Sequence, residues 1–279
     1  MRRRLVTREA TVDALQLGVD LDDLRLPIKE AVPAAARLGF RAIEFGLGGA
    51  ELAEATTTQS GRRHFLRFAK DHGLSAAAAS ADFPGLRLTD AVRVEERIDR
   101  TRAVLQAAGA MHIPVVTAGV GALTDAATGS PSATAIEALR QIARDAERSG
   151  VIYAIRPSAD APEPLAAFLS SLDTPHVRIC LDPAAMLMSG TSPHRLLALR
   201  SGDVVLSHVR DATAGAPGRG GAETAIGEGD VDFLSHLMLL DASGYHGPHI
   251  VRRQTSEHPL RDLASAREYL ARLQAELTE

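Results

Sequence analysis

Apolar and polar positions along the chain repeat in a fixed order: an amphipathic stretch, a glycine and then a short apolar run. Four of these repeats are marked by Gly39, Gly73, Gly109 and Gly150. A glycine just past a helix end takes the left-handed conformation that closes the last turn, and a short apolar run after it is typical of a buried strand. The pattern predicts a repeated unit of helix, glycine and strand.

Continuing this pattern along the chain predicts eight strands. They cover residues 15–20, 40–45, 74–80, 113–117, 151–156, 177–182, 204–208 and 250–252. These runs lack polar alternation, which is typical of parallel strands covered on both faces. Strands that alternate with helices in this number favour a closed barrel over an open sheet. We therefore expect an α/β protein with a single (β/α)₈ TIM barrel over residues 15–279 and an N-terminal extension over residues 1–14.

Helix signals between the strands agree with this repeat. The clearest helix is expected at residues 90–108, where apolar residues fall on one stripe. Serine–proline pairs at 130–131 and 192–193 predict two further helix starts. Residues 212–228, which are rich in glycine and follow the seventh strand, show neither a helical nor a strand pattern. A loop of this length in a compact domain is usually functional or mobile, so two interpretations stand: a lid over the barrel mouth, or a loosely ordered surface loop.

Composition and charge narrow the class of protein. The 279 residues are 45% hydrophobic and 24% charged, as in an ordinary soluble protein, and the net charge of -4 argues against nucleic-acid binding. No run of 18 apolar residues and no signal-peptide pattern is present, so we expect no membrane span and a cytoplasmic location. Cys180, the only cysteine, is expected to be a small buried residue in a strand.

Polar side chains stand where the predicted strands end. In barrels of this kind the loops at the carboxyl ends of the strands converge on one mouth, and reactive groups stand there. The pattern therefore predicts a binding site at that mouth. The strand-end residues are Glu44, Ser80, Asp82, Thr117, Arg156, Asp182, His208, Asp211, Arg252 and Arg253.

Five segments resemble motifs of one known family. They are 38–44 (LGFRAIE), 179–182 (ICLD), 207–211 (SHVRD), 226–233 (IGEGDVDF) and 244–247 (GYHG). In this order they resemble the sugar phosphate isomerase/epimerase family, the xylose-isomerase-like barrels, over about residues 15 to 275. The resemblance implies a TIM barrel that acts as an isomerase or epimerase on, or binds, a small carbohydrate at the mouth. It also suggests a monomer or a homodimer.

The same resemblance implies a divalent metal, Mn, Mg or Zn. The family holds it with glutamate, aspartate, histidine and glutamate at the ends of strands five to eight. Asp182 and His208 match two of these ligands, whereas Arg156 and Arg252 stand where the glutamates are expected. A dication about 5 Å from one arginine is repelled by about 6 kcal/mol at an effective dielectric constant of roughly 20. The arginines therefore disfavour a metal here.

Two interpretations of the arginines stand side by side. In one, Arg156 and Arg252 clamp an anionic group of the substrate, because a planar guanidinium binds carboxylate or phosphate in bidentate fashion. In the other, they pair with Asp182 and Glu44 and fill the site with a salt-bridge network. The ligand of such a clamp is an acidic or phosphorylated sugar.

The residue roles that follow are hypotheses. His208 is the candidate proton carrier, since its reference pKa of about 6.5 suits proton transfer at neutral pH, and Glu44 is its carboxylate counterpart. Arg156, Arg252, Asp182 and Asp211 are the candidate substrate-binding residues. The functions left open are an isomerase or epimerase with an altered metal site and a non-catalytic carbohydrate- or anion-binding relative that has lost the metal. A DNA-repair endonuclease of the same superfamily would need more histidine and glutamate ligands than these strand ends offer.

Overall fold

Eight parallel strands close into a barrel in the computed structural model, which describes residues 15–47, 56–216 and 219–278. The strands in chain order are β1 (Leu17–Asp20), β2 (Ala42–Gly46), β3 (Ser75–Ser80), β4 (Val115–Gly119), β5 (Ile152–Arg156), β6 (Val177–Leu181), β7 (Val204–Val209), the short β8 (Asp211–Ala212) and β9 (Glu223–Thr224), and β10 (His249–Val251). The eight barrel strands follow the order β1-β10-β7-β6-β5-β4-β3-β2 around the barrel, and β8 and β9 form a separate sheet. The predicted (β/α)₈ barrel is confirmed, and the predicted N-terminal extension lies outside the described residues.

Helices connect the barrel strands. They are α1 (Ile28–Arg37), α2 (Gln59–Asp71), α3 (Val94–Ala110), α4 (Ala133–Ser149), α5 (Pro162–Ser171), α6 (Pro183–Met188), α7 (Pro193–Arg200), α8 (Phe233–Ala242) and α9 (Pro259–Thr278). The predicted start at residues 192–193 is confirmed, because the Ser192 side chain accepts a hydrogen bond from the Arg195 amide. The start predicted at 130–131 is wrong by two residues: Ser132 caps α4, and Pro131 bridges to Thr124 instead. None of the helices in the described ranges is long and apolar enough to cross a membrane.

Three of the four glycines that mark the repeats adopt the conformation that the sequence predicts. Gly39, Gly73 and Gly150 have φ angles of 84°, 75° and 64°, in the left-handed region. The prediction for Gly109 is wrong, since it lies inside α3 and His112 takes the left-handed conformation with φ of 56°. A Cβ at Gly109 would lie 2.4 Å from the carbonyl oxygen of Ser149 at the end of α4. Glycine is required there because α3 and α4 approach closely.

The apolar core has two layers, because side chains along a strand alternate between its faces. The barrel interior holds a cluster of mostly small residues, Ala42, Ala78, Val115, Ala154, Cys180, Leu206 and Ile250. The larger cluster lies between the barrel and its helices and includes Phe40, Phe45, Tyr153 and Phe168. The expectation that Cys180 is buried is confirmed. These buried side chains fill the barrel interior below the mouth.

The glycine-rich segment after β7 folds back on itself. β8 pairs with β9 in antiparallel fashion, so this part of the predicted patternless segment contains a small sheet. The amide of Gly215 donates to the carbonyl of Leu187, and the amide of Gly221 donates to that of Met188, at 2.7 and 2.9 Å. The segment is therefore hydrogen-bonded to α6, the helix that begins directly after β6 at the barrel mouth.

Candidate functional site

A buried ion pair joins β7 to β2 inside the barrel. Nε2 of His208 lies 2.6 Å from Oε2 of Glu44, and both side chains are 0% exposed. The hydroxyl of Thr117, on β4, donates to the other Glu44 oxygen. Burial alone would raise the pKa of Glu44, but the charge and hydrogen bond of His208 outweigh burial and lower this pKa to about 2. Glu44 is therefore ionised at neutral pH.

The charge of His208 follows from the same surroundings. Burial alone would lower the pKa of its imidazole, but Cys180, Glu44 and Asp182 raise it well above the usual value. Nδ1 of His208 lies 3.8 Å from Oδ2 of Asp182. The imidazole is thus a protonated cation held between two carboxylates, one on β2 and one at the end of β6.

Asp182 is fixed by three neighbours. Its Oδ1 accepts a hydrogen bond from the Ala185 amide at 2.9 Å and so caps α6. Its Oδ2 lies 2.9 Å from Nη2 of Arg210, which follows β7. Burial alone would raise the pKa of Asp182. Arg210 and His208 have the larger effect, so the pKa is lowered. Asp182 is an ionised acceptor at the mouth.

Arg156 at the end of β5 pairs with Asp82 in the loop after β3. Its Nη2 lies 2.5 Å from Oδ2 of Asp82, and the amide of Gly119 donates to the other Asp82 oxygen at 2.7 Å. A Cβ at Gly119 would lie 3.0 Å from Nη2 of Arg156. Among the described residues, no hydrogen-bond partner is found for Nη1 of Arg156. The guanidinium is thus paired on one side only.

Arg252 at the end of β10 is almost fully buried, with 4% of its surface exposed. Its Nη2 lies 2.7 Å from Oδ2 of Asp20, and its Nε lies 3.2 Å from Oδ2 of Asp23. Burial raises the pKa of Asp20 well above its usual value, although Arg252 opposes the shift. Since β1 and β10 are neighbours only in the closed barrel, this pairing depends on barrel closure.

The predicted pairing of the arginines is therefore wrong in its partners. Arg156 and Arg252 do lie in a salt-bridge network, but they bind neither Asp182 nor Glu44. Asp182 pairs with Arg210, and Glu44 pairs with His208. Each of these carboxylates is paired with a cation that lies on or directly after β7.

Asp211, which the sequence predicts as a substrate-binding residue, accepts hydrogen bonds from the segment after β7. Its Oδ2 accepts from the amides of Gly227 and Gly229 at 2.8 and 2.9 Å, and its Oδ1 accepts from the Val231 amide at 3.2 Å. With 1% of its surface exposed, the side chain does not open onto the mouth. Its hydrogen bonds close the loop that contains β8 and β9.

A cavity of about 160 Å³ lies at the barrel mouth. Its lining residues are Gly119, Gly121, Arg156, Ser158, Asp182, Ala185, Arg210, Arg252 and Gln254. Three of these residues are cations and one, Asp182, is an anion. His208 and Glu44 do not belong to this described lining, and both are buried.

Sequence reasoning missed Arg210, Asp20 and Asp23. Arg210 lies within the SHVRD motif, between His208 and Asp211, and the strand-end rule applied to β1 would have pointed to Asp20. Gln254 lies three residues after β10, and its Oε1 accepts a hydrogen bond from Nη1 of Arg210 at 2.5 Å. No sequence pattern indicates a role for Gln254.

The residues present do not fit the divalent metal that the family resemblance implies. Within the ranges that the structure describes, no three His, Cys, Asp or Glu side chains are grouped so as to hold a metal ion. The two matching ligands, Asp182 and His208, are committed to Arg210 and Glu44. Arg156 and Arg252 line the same cavity, and a guanidinium has no lone pair to offer a metal.

The family model of xylose isomerase-like TIM barrels matches residues 32–273 of this chain. The chain belongs to that family. No curated protein sequence matches it.

Solved structures of xylose isomerase-like barrels share the fold over nearly the whole chain. A xylose isomerase domain protein from Planctomyces limnophilus has a TM-score of 0.81 and 20% identity, covering 94% of this chain and 98% of its own. A xylose isomerase-like TIM barrel protein from Mycobacterium smegmatis in complex with magnesium has a TM-score of 0.71 and 17% identity over 95% and 98%. The 3-keto-D-glucoside 4-epimerase of E. coli has a TM-score of 0.68 and 18% identity over 94% and 100%. At these identities the likeness establishes the fold.

Proposed function

We propose that this protein binds a small anionic carbohydrate, acidic or phosphorylated, at the barrel mouth without a metal ion. The observation that carries the proposal is the lining of one cavity by three guanidinium groups, Arg156, Arg210 and Arg252, against a single carboxylate, Asp182. The sugar epimerase among the fold neighbours supports a carbohydrate as the ligand class.

The guanidinium groups of the lining support an anion as the ligand. Nη1 of Arg156 and Nε of Arg210 are buried and, within the described part of the chain, have no hydrogen-bond partner. A buried donor left unsatisfied costs about 1–3 kcal/mol. A carboxylate or phosphate offers the oxygen pair that matches a guanidinium edge, so the arginines of this lining suit an anion.

A second candidate function is an isomerase or epimerase in which His208 and Glu44 move the proton. This function is supported by Asp182 and His208, which match two of the family's metal-ligand positions. The burial of His208 and Glu44, together with their absence from the described cavity lining, argues against direct contact with substrate. Binding is therefore the primary proposal, and metal-independent proton transfer is the alternative.

Metal content and anion binding together test the proposal. Elemental mass spectrometry of the purified protein and calorimetric titration with Mn²⁺ are expected to show no stoichiometric metal. Titration with a panel of sugar phosphates and sugar acids is expected to show binding that falls at least tenfold in Arg156→Gln. The matched control is Arg195→Gln, because Arg195 is an exposed arginine on α7 paired with the exposed Glu163.

Two results would overturn the proposal. One is a stoichiometric metal that only a chelator removes, which would restore the metal-dependent isomerase. The other is anion binding that is equally strong in the wild type, in Arg156→Gln and in Arg195→Gln, which would place the anion elsewhere on the surface.

A further inference from the structure

Two partners orient the guanidinium of Arg210 at the mouth cavity. Its Nη2 lies 2.9 Å from Oδ2 of Asp182, and its Nη1 donates a hydrogen bond to Oε1 of Gln254 at 2.5 Å. All three residues line the cavity. An arginine side chain is long and flexible, and fixing it before a ligand arrives lowers the entropy that binding must remove. Asp182 and Gln254 therefore prepare the guanidinium for an anion.

Gln254 is held by its backbone as well as by its side chain. Its amide donates to Oε1 of Glu223 at 2.8 Å, and its carbonyl accepts from Nη2 of Arg25. The same Glu223 oxygen accepts from Nη1 of Arg253 at 3.1 Å. Glu223 lies on β9, in the segment after β7, whereas Gln254 follows β10. The position of Gln254 therefore depends on a carboxylate from a separate segment of the chain.

Glu223 is itself placed by the small sheet that follows Arg210. Arg210 directly precedes β8, and Ala212 on β8 is in register with Glu223 on β9. The Glu223 side chain is only 3% exposed. The contacts thus form a closed circuit: the chain connects Arg210 to Ala212, Ala212 pairs with Glu223, Glu223 binds Gln254 and Gln254 binds Arg210. A closed circuit restricts the guanidinium more than its bond to Gln254 would alone.

The charge of Glu223 is unfavourable for an anion site. A carboxylate near the mouth repels an anionic ligand, so Coulomb's law alone predicts tighter binding when Glu223 is removed. Removal would also release Arg253, the cation that pairs with Glu223. Positioning predicts the opposite result, because loss of the Glu223 oxygen frees Gln254 and then the guanidinium of Arg210. The direction of the change in affinity therefore separates the two effects.

We infer that Glu223 is a positioning residue of the anion site and acts through Gln254 on the guanidinium of Arg210. The inference rests on the proposed function and adds to it a residue that does not belong to the described cavity lining. It also gives the sheet of β8 and β9 a role in binding, since this sheet carries Glu223 to the end of β10.

Calorimetric titration with inorganic phosphate and with gluconate tests the role of Glu223. The affinity for the anion is expected to fall about tenfold in Glu223→Ala and in Gln254→Met. It is expected to recover in Glu223→Gln, whose side-chain oxygen can still accept from the Gln254 amide. The matched control is Glu228→Ala, because Glu228 is an exposed glutamate of the same segment and its loss changes the net charge equally. Gln254→Met keeps the inference testable if Glu223→Ala does not fold.

Double variants separate positioning from a general effect on the fold. In Arg210→Gln the guanidinium is gone, so adding Glu223→Ala is expected to cause no further loss of affinity. In Arg156→Gln the full loss is expected to persist, because Arg156 pairs with Asp82 instead.

Three results would overturn the inference. Unchanged or tighter binding in both Glu223→Ala and Gln254→Met would overturn it and leave the proposed function standing. A loss from Glu223→Ala that is equally large in the Arg210→Gln background would do the same. No binding of either anion by the wild type would overturn the inference together with the proposed function.

Discussion

The imidazole of His208 and the carboxylate of Glu44 meet inside the barrel, with Nε2 and Oε2 2.6 Å apart. Two further barrel strands, β1 and β10, separate their parent strands β2 and β7 in the barrel order. Neither side chain reaches solvent, so each charge is balanced by the other and by its immediate neighbours. Removing one member of such a buried pair leaves an uncompensated charge and costs about 3–5 kcal/mol.

Replacing Glu44 with glutamine is expected to lower the pKa of His208. Burial then opposes protonation of the imidazole without the carboxylate that now outweighs it. Titration of the imidazole by NMR measures the shift, and denaturant unfolding at pH 7 is expected to show a loss of about 3–5 kcal/mol. Glu163→Gln is the control, because Glu163 is an exposed carboxylate paired with Arg195. An unchanged pKa of His208 in Glu44→Gln would contradict the ion pair.

The same pair predicts a pH window of stability. The folded pKa of His208 is raised above 6.5, so its contribution is complete below pH 6.5 and is lost as pH rises through the folded pKa. Glu44 is lowered from 4.5 to about 2, so its contribution is complete above pH 4.5 and is lost as pH falls toward 2. The stability difference between wild type and Glu44→Gln is therefore expected to be largest between about pH 4.5 and 6.5.

Part of the lining of the mouth cavity could be predicted from sequence because strand ends in a parallel barrel converge. The rule points to Arg156, Asp182 and Arg252, and these three residues line one cavity in the structure. The partners of the arginines could not be found this way, because the rule places residues at one mouth without measuring which guanidinium reaches which carboxylate. Arg252 meets Asp20 because β10 and β1 are paired in the closed barrel, with Val19 in register with Val251.

The glycines that mark the repeats show a different limit of prediction from sequence. Gly39, Gly73 and Gly150 close a turn in the left-handed conformation, whereas Gly109 permits close packing of two helices. Both needs select glycine, and a one-dimensional pattern does not separate them. The short sheet of β8 and β9 was missed for a related reason, since its strands are two residues long.

Replacing Gly109 with alanine is expected to destabilise the fold by about 1–3 kcal/mol, as other overpacking changes do. Helix propensity alone would favour alanine by about 1 kcal/mol, so the sign of the effect separates the two causes. The added Cβ would lie 2.4 Å from the Ser149 carbonyl oxygen, which belongs to the backbone and cannot rotate away. Urea unfolding measures the change.

The control for this prediction is Gly202→Ala. A Cβ there would meet no atom within 4 Å, so its effect is expected to stay within about 0.5 kcal/mol. A more stable Gly109→Ala protein would refute the close contact between α3 and α4.

Replacing Asp211 with alanine is expected to loosen the segment after β7. The amides of Gly227, Gly229 and Val231 lose their acceptor. The Val231 amide is buried, and a buried donor left unsatisfied costs about 1–3 kcal/mol. Hydrogen exchange of these amides is expected to accelerate at least tenfold. Asp71→Ala is the control, because Asp71 is an exposed carboxylate 3.8 Å from Arg67 on the same helix. Unchanged exchange at all three amides would show that Asp211 does not anchor the segment.

Two buried histidines between the barrel and its helices predict sensitivity to acid. Nε2 of His236 lies 3.4 Å from Oγ of Ser207, and the ring of His249 meets that of Tyr245 edge to face at 5.4 Å. Burial, with the charge of His249, lowers the pKa of His236 to about 3, and burial lowers that of His249 to about 4. Both rings are therefore neutral in the folded protein at mildly acidic pH.

The sign of the effect follows from the unfolded reference of about 6.5. Below that pH the unfolded chain binds protons that the folded chain refuses, so stability falls by up to about 1.4 kcal/mol per pH unit for each histidine. In His249→Gln, the slope of unfolding free energy between pH 6.5 and 5 is expected to decrease by about this amount. The raised pKa of Asp20 acts in the opposite direction, but it is common to both proteins and cancels in the difference. His64→Gln, which removes an exposed histidine on α2, is the control, and a slope equally steep in His249→Gln and wild type would mean that the folded protein protonates His249 as readily as the unfolded chain does.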